Sequence, residues 1–283
     1  MRASFRRRNR RANCKSFFTN LFRAAGNGII RIIRNCCDRR LVSYVLGDLQ
    51  YHCSRKRIFS VLCNAPLLAA AAILFFLAGR WYRGADETAR RRLRILIGIL
   101  LICDELAKDL STLATGRFEW AFLPFHLCSI NIFVILAHIV RPDDVKSEFL
   151  YALCLPGALA ALLFPSWSSL PAWNLMCIHS FSVHILLALY PILLLCGGYR
   201  PHFSRLKPAI FPSLAIVCVI FVLNKKLGTN FMFLNNGGSG NPLAWAESIL
   251  GNPGYLLALP VLIALVWAVM YLPLETARRK RAA

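Results

Sequence analysis

No Cys-x-x-Cys spacing occurs among the eleven cysteines of this 283-residue chain, and most of them sit one to a hydrophobic stretch (Cys63, Cys103, Cys128, Cys154, Cys177, Cys196, Cys218). That pattern argues against a structural zinc site or a disulfide framework. It leaves the thiols as small apolar fillers or as single reactive groups, with no metal and no cofactor expected. Charge is scarce, with only 17% of residues Asp, Glu, Lys or Arg. Acid is scarcer still: none occurs in the first 37 residues, and the whole chain has 13 acidic against 34 basic side chains. No internal repeat is evident, so the paired halves common in transporters are missing.

What remains is apolar. The chain is 57% hydrophobic with a mean hydropathy of +0.53, the composition of an integral membrane protein. A hydrocarbon core of roughly 30 Å needs about 20 mostly apolar residues per helix. Seven segments qualify as candidates: 58–79, 93–114, 120–140, 148–165, 173–196, 208–224 and 254–274. Asp104, Glu105, Lys108 and Asp109 interrupt the second, and the sixth is short before Asn224 and Lys225. The count is six or seven, and seven is adopted. The expected fold is all-α, a multi-pass transmembrane helical bundle over 58–274. A basic amphipathic extension (1–57) precedes it and a basic tail (275–283) follows.

The formal charge of +21 raises the question of nucleic acid, and its distribution answers it. Fifteen of the 34 Lys and Arg residues precede residue 58, where Leu21, Phe22, Ile29, Ile30, Ile32 and Ile33 alternate with Arg23, Arg31 and Arg34. A basic helix with an apolar face lies on anionic lipid more naturally than in a DNA groove, so membrane lipids are the expected partners and no nucleic acid is. The same composition fits an organelle presequence or a translated upstream extension. Cys36 and Cys37 beside it are candidates for acylation. Loop charges place fifteen basic residues on the face that carries the C-terminus and three on the other, which puts the C-terminus in the cytoplasm. The basic residues of the extension oppose that orientation.

Ionisable groups are costly in a bilayer and usually face a bundle interior or a wet cavity. Because successive spans alternate direction, the end of span two, the start of span three, the end of span four, the start of span five and the segment after span six share one side. Nearly all the unusual polar residues fall there: Asp104, Glu105, Lys108, His126, Cys128, His179, His184, and a loop with Asn230, Asn235, Asn236 and Asn241. One polar cavity open to that face is expected.

At roughly 100° per residue, His126 and Cys128 on one helix point about 160° apart, so a base for the thiol must come from another span. His179 and His184 diverge by about 140° and are not a one-face chelating pair. Counted from Trp120 and Trp173, which open their spans, Cys128 is matched in depth slightly better by His179 than by His184. Asp104 and Lys108, acid first and four apart, are expected to pair. His138, near the far end of span three, reads as interfacial, and His52 and His202 fall outside the spans.

Leu-Pro-Phe-His-Leu-Cys at 123–128, Ile-His-Ser at 178–180 with His184 following, and Gly-Thr-Asn-Phe-Met-Phe-Leu at 228–234 before Asn241-Pro242 resemble the YwaF-like integral membrane proteins of bacteria and their animal relatives, the transmembrane protein 164 family. The likeness runs from span one to span seven and leaves out the basic extension. It implies a multi-pass membrane protein whose animal members act as acyltransferases, moving polyunsaturated acyl chains onto ether phospholipids with a cysteine and a histidine. By that analogy the cysteine matches Cys128 and the histidine matches His179 or His184. A phospholipid acyl donor and a lysophospholipid acceptor are then the partners. His126, Asn230, Asp104 and Lys108 are the candidate substrate-binding groups, with His126 or the Asn-rich loop as donors to the tetrahedral oxyanion. Kinship of fold transfers chemistry weakly.

Two other classes stay open. Intramembrane Asp104, Lys108 and the histidines are also the furniture of a proton-coupled transporter, and Pro156, Pro191 and Pro212 interrupt spans as transporter helices often are. A non-catalytic membrane adaptor held by the basic arm is the third.

Overall fold

The computed structural model describes residues 57–116, 118–165 and 174–282. The extension up to residue 56, with Cys36, Cys37 and His52, lies outside the described residues, as do Arg117 and Trp173. Among the described residues every regular element is helical. Eight helices follow in order: α1 (Arg57–Gly84), α2 (Glu87–Ala114), α3 (Leu127–Val140), α4 (Asp144–Leu163), α5 (Leu175–Cys196), α6 (Leu206–Leu227), the short α7 (Pro242–Leu250) and α8 (Ala258–Ala282).

Among the described residues six segments, the helices other than α2 and α7 with their adjoining turns, are long and apolar enough to cross a bilayer. At 28 residues α2 matches α1 in length, and only its charges set it apart. Its pattern is inverted: Leu96, Ile99, Leu100, Leu106 and Leu110 point outward while Lys108 is buried, and Asp104 and Glu105 are half-buried. A soluble helix does the opposite. Outward leucines suit lipid, and inward charges survive there because they find partners.

α5 is the axle. Leu187, Ala188, Tyr190 and Leu193 are fully buried, and α1, α2, α3 and α4 all pack on it. Gly98 lets α2 approach α3 closely, since a Cβ there would meet the Ile139 side chain at 2.7 Å. By contrast α6 and α8 leave most of their surface open, as lipid-facing helices do.

Two prolines interrupt helices without leaving a backbone acceptor bare. Pro156 in α4 has no N–H to give to the carbonyl of Ala152, and the indole Nε1–H of Trp267 on α8 donates to that oxygen at 2.9 Å. Pro191 likewise frees the carbonyl of Leu187, and the Cys154 thiol from α4 donates to it at 3.3 Å. In a medium without water these cross-helix donors are the way a broken ladder stays satisfied. A π-helical turn, Leu150–Cys154, precedes Pro156 and brings Ala152 and Cys154 to these roles. Trp267→Phe keeps the bulk of the ring but strands the Ala152 oxygen. The expected loss is about 1–3 kcal/mol, read as a lower unfolding midpoint in detergent; an unchanged midpoint would show that the indole N–H contributes nothing.

The helices of the first, second, sixth and seventh spans run beyond the expected bounds, to Gly84, from Glu87, to Leu227 and to Ala282, and three further boundaries differ from expectation. The fourth span starts at Asp144 rather than 148, because the Asp143 carboxylate caps the helix by accepting the Lys146 N–H at 2.8 Å. The fifth starts at Leu175, capped by Asn174, whose Oδ1 accepts the Met176 N–H. The third opens with a 3-10 turn, Trp120–Phe122, then an extended stretch, and becomes α-helical only at Leu127. Pro124 cannot donate a backbone bond and disfavours helix at the residue before it. His126 is therefore the extended N-cap of α3, and the helical angle between it and Cys128 does not apply.

Candidate functional site

Four ionisable residues of α2 meet the starts of α3 and α5 at one end of the bundle. The Lys108 ammonium, 7% exposed, lies 2.6 Å from Glu105 Oε1 and 3.2 Å from Asp109 Oδ1. It also donates to the carbonyl of Phe122, at 3.1 Å, in the turn that leads into α3. The expected Asp104–Lys108 pair does not form. Asp104 faces α5 instead, where the Ser182 hydroxyl donates to Oδ2 at 2.7 Å, and that leaves the ammonium to Glu105.

His179 enters between the two carboxylates. Its Nδ1 is 3.3 Å from Asp104 Oδ1 and its Nε2 is 3.8 Å from Glu105 Oε2. Neither distance is a formed hydrogen bond; the Nδ1 is buried and out of line with the oxygen it neighbours. Glu105 also accepts from the Ser129 hydroxyl at 3.2 Å. One carboxylate thus touches the residue after Cys128 on α3, the lysine on its own helix, and His179 on α5.

Cys128 is the second residue of α3, so it lies in the first turn. Its side chain packs on the main core formed by α2, α4 and α5, and the thiol therefore points into the bundle. α3 and α5 touch directly, with no helix between them. Among the described residues the sulfur forms no hydrogen bond with an imidazole. His184 directs its Nδ1 at the carbonyl of Ser180 at 2.5 Å. A carbonyl can only accept, so Nδ1 carries the proton and the Nε2 of the neutral ring keeps its lone pair. His179 is held beside two acids, whereas the Nε2 of His184 makes no hydrogen bond among the described residues. His126 stacks edge-on against Phe231 with ring centroids 5.1 Å apart and lies within Coulombic range of His184, Lys108 and Glu105.

The Asn-rich loop closes on itself. Asn230 accepts from the N–H groups of Asn235 and Asn236 and donates to Asn236, while Asn235 donates to the Thr229 carbonyl. Asn241 caps α7 through the N–H groups of Leu243 and Ala244 and donates back to the Gly237 carbonyl. Gly237 donates to Glu247, and Asn252 ties Glu247 to the Asn235 carbonyl. The turn is strained as well as knotted, since Met232 and Phe233 hold φ of 56° and 57°. The amides of Asn230 and Asn241 are spent on the loop. What the loop offers the site is the Phe231 ring under His126.

Sequence reasoning passes over three polar residues in this region: Ser129, Ser182 and Asn131. The signal for the first two is weak, because hydroxyls cost little in a helix. For Asn131 the signal available is an amide in an apolar span, three residues beyond Cys128. His138 also differs from expectation. It is buried rather than interfacial, with Nδ1 2.9 Å from the Tyr190 hydroxyl and Nε2 3.0 Å from Ser147 Oγ, partners that α4 and α5 supply.

The far end of the bundle holds a second polar knot. Glu148 is fully buried, and its carboxylate accepts from the Tyr199 hydroxyl at 2.6 Å, from the His202 N–H at 3.0 Å and from the Tyr271 hydroxyl. Among the described residues no cluster of three His, Cys, Asp or Glu side chains is disposed to hold a metal ion.

Compared with known proteins, residues 52–271 match the family model described as the TMEM164 family. No curated protein and no solved structure matches the chain.

Proposed function

The chain belongs to the TMEM164 family, and on that premise we propose that it transfers acyl chains between membrane phospholipids with Cys128 as nucleophile. The observation that carries the reading is the direction of the thiol. It faces the bundle interior in the first turn of α3, beside Ser129, whose hydroxyl joins the same Glu105 carboxylate that neighbours His179 on α5. A filler cysteine needs no such company.

In the first half-reaction an imidazole takes the thiol proton, and the thiolate adds to the ester carbonyl of a donor phospholipid. The carbon–oxygen bond to the glycerol breaks, and the departing alkoxide takes the proton back from the imidazolium as lysophospholipid leaves. In the second, the hydroxyl of an acceptor lysophospholipid gives its proton to the imidazole and attacks the thioester. The thiolate departs and is reprotonated. His184 is assigned as the base on its tautomer, because its Nδ1 is tied to the Ser180 carbonyl and the Nε2 lone pair is left to take a proton. His179 is set between Asp104 and Glu105, and Lys108 fixes Glu105. Lipids reach the site sideways from the bilayer.

Purified protein given a labelled phospholipid and a lysophospholipid is expected to form a hydroxylamine-sensitive acyl adduct at Cys128. Cys128→Ala should end transfer while leaving a folded protein, and His184→Gln should slow it by about 10²–10⁴-fold. Full transfer by Cys128→Ala would end the proposal. The two carboxylates beside His179 also favour a second reading, proton-coupled transport. Solute flux driven by a pH gradient in vesicles, with no acyl adduct, would select it.

A further inference from the structure

We propose that Asn131, together with the uncapped N-terminus of α3, binds the acyl carbonyl oxygen at Cys128 and so makes the site selective for ester-linked lipids. This rests on the acyl-transfer reading above. Of the donors expected from sequence, Asn230 and Asn241 are bonded within their own loop, and the His126 ring lies edge-on against Phe231.

Asn131 is 2% exposed, and among the described residues its Oδ1 is buried without a partner; a half-turn of the amide exchanges Oδ1 and Nδ2, so the same place can present an N–H donor to a carbonyl oxygen. The side-chain nitrogen also makes no hydrogen bond among the described residues. Buried amides are nearly always satisfied, so an idle one inside a membrane bundle asks for a ligand. Its place suits a carbonyl held at the sulfur. Residues three apart on a helix have Cβ atoms about 5–6 Å apart. Helical side chains lean toward the N-terminus, so the Asn131 amide covers the turn that carries Cys128. Asn131 shares its buried stripe with Ile132 and Ile135, which face the main core.

A second observation comes from the cap. The His126 side chain makes no capping bond, and the first backbone bond of the 14-residue α3 runs from the Ile130 N–H to the His126 carbonyl. The N–H groups of Leu127, Cys128 and Ser129 precede it and have no helical acceptor. As the thiolate adds to the carbonyl carbon, the π electron pair moves onto oxygen. The alkoxide formed is held by the Asn131 amide and the Cys128 N–H, and it re-forms the carbonyl as the glycerol oxygen leaves.

The test uses the full chain carrying Cys128→Ala, so that no ester is consumed. In detergent micelles, the unfolding midpoint is measured with dioleoylphosphatidylcholine and with its dialkyl ether analogue, which lacks both carbonyl oxygens. The ester lipid should stabilise more than the ether, and the difference should vanish in Cys128→Ala/Asn131→Leu and in Cys128→Ala/Asn131→Ala. Without added lipid, Asn131→Leu should raise the midpoint by about 2–4 °C, because a near-isosteric apolar group replaces an unpartnered amide. In the otherwise native chain, Asn131→Leu should lower kcat by about 10²–10³-fold with KM little changed. Equal stabilisation by ester and ether lipid, an ester preference that survives both Asn131 variants, or a lower midpoint for Asn131→Leu without lipid would overturn the assignment. Transfer that persists in Cys128→Ala would overturn the nucleophile instead, and the ester preference would still decide on Asn131.

Discussion

Lys108→Met is expected to unfold the polar end of the bundle. The ammonium is 7% exposed and serves three oxygens at once: the carboxylates of Glu105 and Asp109 and the carbonyl of Phe122. Methionine fills the space and supplies nothing to them. Two carboxylates then stand in a low-dielectric interior without their cation, and removing one partner of a buried pair costs about 3–5 kcal/mol. The measurement is the unfolding midpoint of the variant in detergent. Lys108→Met/Glu105→Gln should recover part of the loss, since the neutral amide needs no cation and its oxygen can still accept from Ser129. A double variant whose loss equals the sum of the two single losses would show that the pair is not coupled. Transfer activity should fall with Lys108→Met, because Glu105 also positions the starts of α3 and α5.

Glu148→Ala is expected to be as damaging to stability and far less so to chemistry. Alanine leaves the Tyr199 and Tyr271 hydroxyls and the His202 N–H without an acceptor, at about 1–3 kcal/mol for each buried orphan. The three come from α8 and from the segment between α5 and α6, so the loss should loosen both from α4. Limited proteolysis between residues 197 and 205 reads that directly, and the residual transfer rate per folded molecule should stay near that of the native chain. Protection equal to the native chain would mean that the carboxylate is not the clasp.

The same clasp has a defined response to alkali. Burial first, and then the hydrogen bond to Glu148, push the Tyr199 phenol above its ordinary value of 10.0. A group whose folded value is raised contributes fully below the unfolded value and loses that contribution as pH rises through the folded one. The brace should therefore hold undiminished up to pH 10 and weaken only above it.

The end of the bundle at which the polar residues gather was legible along the chain. Asp104, Glu105, Lys108, His126, Cys128 and His179 were expected at one end by counting spans, and α2, α3 and α5 do bring them together there. Their pairings were not legible. A helical wheel puts Lys108 within reach of both Asp104 and Glu105, and the choice fell to Glu105 because Ser182, 78 residues away, claimed Asp104. The wheel also failed at His126, where Pro124 delays the helix and places the ring on an extended cap.

Hydropathy and charge counts are local sums, so the sequence by itself determined a helical membrane bundle, the approximate spans and the side on which the polar groups gather. Only tertiary structure decided what each group meets: Trp267 at the carbonyl freed by Pro156, Cys154 at the one freed by Pro191, three donors at Glu148, and no partner among the described residues for the Asn131 Oδ1. Those outcomes depend on how each helix is rotated about its axis and how deep it sits against its neighbours. Packing between segments far apart in the chain sets both, and no stretch of sequence contains that information alone.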